Sequence, residues 1–212
     1  MQRTNSNART APGGKKVLSK TDALALMIVT AIVAVITTLT TASRLIAFST
    51  GPATLALPLA TAKQTPIGLS AGVEAHFTSI EATIPTLPST EAALLVWAGI
   101  LSHISVLAVL ALLFLLAWRL RGETLFTTGS VWIIGACGAA LAVAGTIGHL
   151  LDQIARSRLA EMIGANQRIP GEEIIFVGDL PLGPAVAGIV LILVAGVFQF
   201  GRRLQKDTEG LV

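Results

Sequence analysis

Four long apolar runs, parted by polar segments, set the pattern of the chain: residues 23–48, 92–118, 131–151 and 185–200. Crossing about 30 Å of hydrocarbon takes about 20 mainly apolar residues. Backbone polar groups in that layer find no water, so a spanning segment must satisfy them within itself. Each run is therefore predicted to be a transmembrane helix. The fold class that follows is an all-α membrane protein with four spans in one domain, residues 21–212, behind a disordered basic tail of residues 1–20.

The polar segments carry their own patterns. Residues 49–91 are too many for a simple connection, and Gly51, Pro52, Pro58, Pro66, Pro85 and Pro88 punctuate them. Between these breakers lie two β-like stretches, 53–59 and 73–80. In the second, Val73, Ala75 and Phe77 alternate with Glu74, His76 and Thr78, a period of two. A third stretch, 173–177, precedes Gly178 and Asp179. The three are predicted to pair into a small extracytoplasmic β-containing cap drawn from the two outer loops. Leu151, Ile154, Ala155, Leu159 and Met162 keep helical spacing beyond the third run, so that helix is expected to continue past the membrane and stop at Gly164. Asp152 and Arg156 are spaced for an i,i+4 ion pair. Ser19, Thr21 or Asp22 is expected to cap the first helix, and Pro184 to sit in the first turn of the fourth.

Composition agrees with this pattern. Hydrophobic residues make up 53% and charged residues 13%, with a mean hydropathy of +0.75, where a soluble domain carries about 25% charged residues. Four spans within 212 residues leave room for one helical bundle and no second large domain. The net charge of +3 comes from basic residues beside the spans. That placement suits a lipid bilayer with anionic headgroups, not direct binding of nucleic acid. Ten basic residues fall with the N-terminal tail, the second connection and the C-terminus, and five with the other side (Arg44, Lys63, Arg156, Arg158, Arg168). The imbalance predicts both termini in the cytoplasm. Arg44, near the outer end of the first run, is expected to snorkel to the interface. The first run is too long for the apolar core of a cleavable signal and reads as an anchor.

Candidate chemistry is sparse. The single cysteine, Cys137, lies among Gly135, Ala136, Gly138 and Ala139, which fits a small packing residue. Thr37, Thr38, Thr40 and Thr41 are expected to bond back to their own helix; a polar pathway is the competing reading. Gly135, Gly138, Ala142 and Gly145 recur along one face of the third span, leading to His149 and Asp152. Small residues of this kind let helices approach closely. A homodimer seam would use the same face, so a homo-oligomer stays open. Gly148 lies off that face and is expected to matter less. His149 and Asp152 form a candidate polar site. Counted from the span ends, His103 sits deeper than His149 by over about 10 Å, which argues against a shared metal site. No nucleotide loop, HExxH or GxSxG occurs. The expectation is a non-enzymatic protein without catalytic residues, cofactor or metal; the alternative is a small transporter or channel component, motivated by the threonines and His103.

Two segments carry a resemblance. Gly122-Glu123-Thr124-Leu125-Phe126-Thr127 follows the second span. The chain ends Gly201-Arg202-Arg203-Leu204-Gln205-Lys206-Asp207-Thr208-Glu209-Gly210-Leu211-Val212. Together with the four-span layout they resemble a bacterial membrane family called domain of unknown function 2975. Leu125 stands where that pattern often has proline. The resemblance implies a bacterial cytoplasmic (inner) membrane and no established biochemical activity. It also implies a regulatory role, because members are often encoded beside a small helix-turn-helix regulator. Gly201 is expected to end the fourth helix. Gly122, Phe126, Gly201, Leu204, Asp207, Glu209 and Leu211 form a candidate cytoplasmic interaction surface for a regulatory protein, since phenylalanine and leucine are costly to leave wet.

The charge bias makes a direct prediction. Reporter fusions at Met1 and Val212 should give cytoplasmic signals, and one inserted near Lys63 should report from the other side; an outside signal at either terminus would overturn the orientation.

Overall fold

The computed structural model describes residues 20–59, 78–122, 128–165 and 182–209. They form four helices and one hairpin: α1 (Lys20–Thr50), β1 (Ala53–Pro58), β2 (Ser79–Ile84), α2 (Ser89–Gly122), α3 (Thr128–Met162) and α4 (Gly183–Glu209). All four helices are long and apolar enough to cross a membrane. The amphipathic rings of tryptophans are favoured at membrane interfaces. Trp97 lies toward one end of α2, Trp118 toward the other and Trp132 in the first turns of α3, and all three are exposed. At about 1.5 Å per residue, Trp97 and Trp118 stand about 30 Å apart, the thickness of the hydrocarbon layer.

The ends of the helices follow from local chemistry. α1 closes with Gly51 N–H donating to Ala47 at 3.2 Å, and Pro52 cannot extend it. The carbonyl of Pro88 accepts the first bond of α2, from Ala92 at 2.9 Å. α3 runs past the apolar run to Met162, as its pattern requires, and Gly164 takes φ 75°. There Ala165 donates to Ala160 and Gly164 to Glu161, each at 3.0 Å, the paired bonds of a left-handed helix stop. Pro184 sits in the first turn of α4. α4 does not end at Gly201. A glycine inside a helix costs about 1 kcal/mol, and the Arg-Arg-Leu-Gln-Lys stretch after it consists of good helix formers.

The helices lie in chain order: α1 packs on α2, α2 on α3 and α3 on α4. Among the described residues no comparable contact joins α1 to α3 or α4, so the four make an open row. α3 holds the row together through small residues on two faces. A Cβ on Gly138 would lie 2.8 Å from the carbonyl oxygen of Gly188 on α4; one on Gly145 would lie 2.8 Å from Pro184 and 2.9 Å from Ser105 Oγ. Gly148, expected to lie off the contact, faces α2 instead, and its Cβ would meet Ser102 Oγ at 2.8 Å. Counting one stripe on α3 missed that a helix between two neighbours needs two. Gly135 is looser, 3.8 Å from Ala195 Cβ.

The hairpin caps one end of the row. β1 pairs antiparallel with β2, Ala53 opposite Ile84 through Pro58 opposite Ser79. Ala53, Leu55 and Leu57 point inward and join Leu95, Ala155, Leu159 and Ala160 in a buried cluster. Thr54 and Thr83 meet outside at 3.0 Å. The first strand lies within the expected stretch 53–59. The second begins at Ser79, where the expected stretch of 73–80 is ending, because Ala82 and Ile84 supply the inward partners of Leu55 and Ala53. Residues 1–19, 73–77 and 173–177, with Phe126 and Leu211, lie outside the described residues.

Overpacking a close contact costs about 1–3 kcal/mol. Gly138→Leu and Gly148→Leu should each lower unfolding stability in detergent by that amount. Gly196→Leu, whose Cβ would meet nothing within 4 Å, should leave it unchanged.

Candidate functional site

A groove of about 350 Å³ opens where α1, α2 and α3 meet beneath the hairpin. α1 supplies Thr37, Thr40, Thr41, Arg44, Leu45 and Phe48. Leu95, Ala98, Gly99, Ser102, His103 and Val106 come from α2, and His149, Asp152 and Arg156 from α3. Its existence follows from small residues on α2. A Cβ on Gly99 would fall 2.7 Å from Leu45 Cδ2, so α1 comes close there and its next turn toward the N-terminus faces Ser102 and His103.

His103 fastens α1 to α2. Its Nε2 lies 3.1 Å from Thr38 Oγ1 and its Nδ1 3.4 Å from Thr41 Oγ1. The Thr38 hydroxyl already donates to the Ala34 carbonyl at 2.7 Å. It therefore accepts from the ring, so Nε2 carries a proton on the side of Thr38. The other threonines behave as their pattern suggests. Thr30, Thr37 and Thr40 donate to carbonyls one turn back, at 2.7 to 3.0 Å.

Asp152 and Arg156 form the i,i+4 pair expected of them, Nε to Oδ2 at 2.6 Å. Arg156 also donates to the Ala56 carbonyl of β1 at 2.9 Å. The groove is thereby tied to the hairpin, a contact 100 residues apart in sequence that spacing alone does not reveal.

His149 and Asp152 line the same groove as His103, against the expected difference in depth. The reason lies in the helix lengths. His103 is 14 residues into α2 and His149 is 13 from the end of α3, and Gly148 packs against Ser102. Counting from the ends of apolar runs misplaced both, because each helix extends beyond its run on the hairpin side. Among the described residues no three His, Cys, Asp or Glu side chains gather as a metal set.

A second groove, of about 760 Å³ and mostly apolar, lies between α3 and α4 at the opposite end. Gly135 lines it with Trp132, Ala139 and Gly196, and Gln199 and Arg203 stand at its end. Cys137 packs beside the small cluster of Leu112, Ile134 and Ala195. Of the expected cytoplasmic surface, Gly122 ends α2, and Gly201 lies within α4. For Leu204, Asp207 and Glu209 the helical backbone alone is described.

Arg44 is the groove residue that its sequence position concealed. The signal available was Ala98, Ser102 and Ser105 on α2, a small-residue face able to admit both neighbours closely.

The architecture defines a multi-pass membrane protein with four candidate spans and a hairpin cap. Compared with protein-family models, curated proteins and solved structures, the chain matches none.

Cross-helix hydrogen bonds in membrane proteins contribute about 0.6 kcal/mol on average, up to about 1.7. His103→Leu should lower detergent stability within that range, and His103→Gln should recover part of it; a leucine variant as stable as the wild type would show that the bridge contributes nothing.

Proposed function

We propose that this is a non-enzymatic membrane protein that senses through the groove under the hairpin and regulates through a protein partner at the side of its termini. The groove carries the reading. Its walls come from three spans; His103 ties α1 to α2 and Arg156 ties α3 to the cap, so an occupant would bias how they pack. A ligand shifts a conformational equilibrium only by binding one arrangement better, and a site shared among spans meets that condition.

The output side rests on α4, which continues unbroken from Gly183 to Glu209 and carries the C-terminal element beyond the apolar run. Gly122, Phe126, Gly201, Leu204, Asp207, Glu209 and Leu211 are proposed as the surface the partner reads. The resemblance to the family of unknown function rests on those two segments and the four-span layout, and with it goes the bacterial inner membrane. The cytoplasmic termini rest on the excess of basic residues on their side. A small transporter is the second reading, favoured by the threonines and His103 that line the groove.

The test is crosslinking and pull-down from native membranes, with the full chain and with residues 204–212 deleted. The reading predicts a partner recovered by the full chain and lost on deletion. Recovery of no partner, together with solute flux in liposomes, would replace it with the transporter.

A further inference from the structure

The groove under the hairpin carries a charge that its own walls do not answer. Asp152 is the carboxylate lining it, and Arg156 already holds that group at 2.6 Å. Arg44 remains. Among the described residues no acidic side chain pairs with it. Its side chain is exposed, and its neighbour Leu45 packs at Gly99 on α2. Leu45, Phe48, Leu95 and Val106 line the same space. An exposed guanidinium at the edge of an apolar-lined groove offers its N–H donors to an anionic head.

Resting on the sensory reading above, we propose that this groove binds a small amphiphilic monoanion, a carboxylate or phosphate head on a short apolar body. Arg44 takes the head through its planar fork of N–H donors, which matches two oxygens of either group. Thr40 and His149 stand in the same walls as further polar groups for the head. The apolar body lies against Leu45, Phe48 and Leu95. The charge balance sets the valence. Arg156 and Asp152 cancel, Arg44 contributes one positive charge, and a second negative charge on the ligand would face Asp152. The size is consistent, since 350 Å³ stands at the small end of ligand sites, about 300–1,000 Å³.

The same chemistry has two sources, a soluble amphiphile or the headgroup of an anionic lipid. Full-length protein in phosphatidylcholine nanodiscs separates them. Octanoate, added as the soluble probe, should raise the thermal unfolding midpoint in a saturable way. Arg44→Gln should weaken its affinity by at least about tenfold, Arg44→Lys should retain part of it, and Arg158→Gln on the exposed side of α3 should leave it unchanged. If a lipid is the occupant, phosphatidylglycerol in the disc should stabilise the wild type in an Arg44-dependent way and compete with octanoate. The proposal is overturned if neither anion stabilises the folded wild type, or if both act equally on Arg44→Gln. Binding that persists when no cytoplasmic partner is found would overturn the regulatory reading while supporting this one. Regulatory output that survives Arg44→Gln unchanged would overturn the ligand assignment alone.

Discussion

The close approach of α3 to both of its neighbours is the constraint on which the rest depends. Lipid tails are as apolar as the helices they surround, so association within a membrane relies on dispersion contacts and hydrogen bonds, which need near backbones. Gly138 and Gly188 provide one such approach, Gly148 and Ser102 the other. Each fixes a register along the membrane normal. The α2–α3 register brings His149 level with His103, and the hydroxyls of α1 then reach the same level through His103. Without it the polar residues of three helices would face lipid at separate depths, each needing its own means of satisfaction.

The hairpin works within the same frame. A two-stranded ribbon is marginal on its own. Here it is held by Leu57, fully buried against α2 and α3, and by Arg156, which reaches the Ala56 carbonyl from α3. The Asp152 carboxylate keeps that guanidinium in place. The pair therefore serves as an anchor for the cap more than as an isolated surface ion pair, which by itself contributes about 0–1 kcal/mol.

Much of the fold was legible because hydrocarbon allows few solutions. Four apolar runs had to be helices, and the amphipathic extension of α3 with its stop at Gly164 could be read from spacing and one glycine. The strand Ala53 to Pro58 was legible as a β-like stretch between Pro52 and the later breakers. Where reading failed, the missing information was relational. The second strand is defined by its partners Leu55 and Ala53, not by its own alternation. Gly148 looked unremarkable because the eye follows one helical face, whereas a middle helix has two. The groove was harder still. Arg44, His103 and Asp152 lie on three helices, and their common level depends on how far each helix overruns its apolar stretch, which hydropathy does not report. A carbonyl such as that of Ala56 leaves no sequence signal at all.

The shared register of α2 and α3 can be measured without touching the groove. Ile104 and Ile147 are both exposed, one beside His103 and the other beside Gly148. Nitroxide labels at these two positions, each in a Cys137→Ser background in lipid bilayers, report their depth through relative accessibility to oxygen and to a water-soluble nickel chelate. The account predicts depths that agree within one helical turn, about 5 Å. A difference of about 10 Å or more, the separation expected by counting from the ends of the apolar runs, would contradict it.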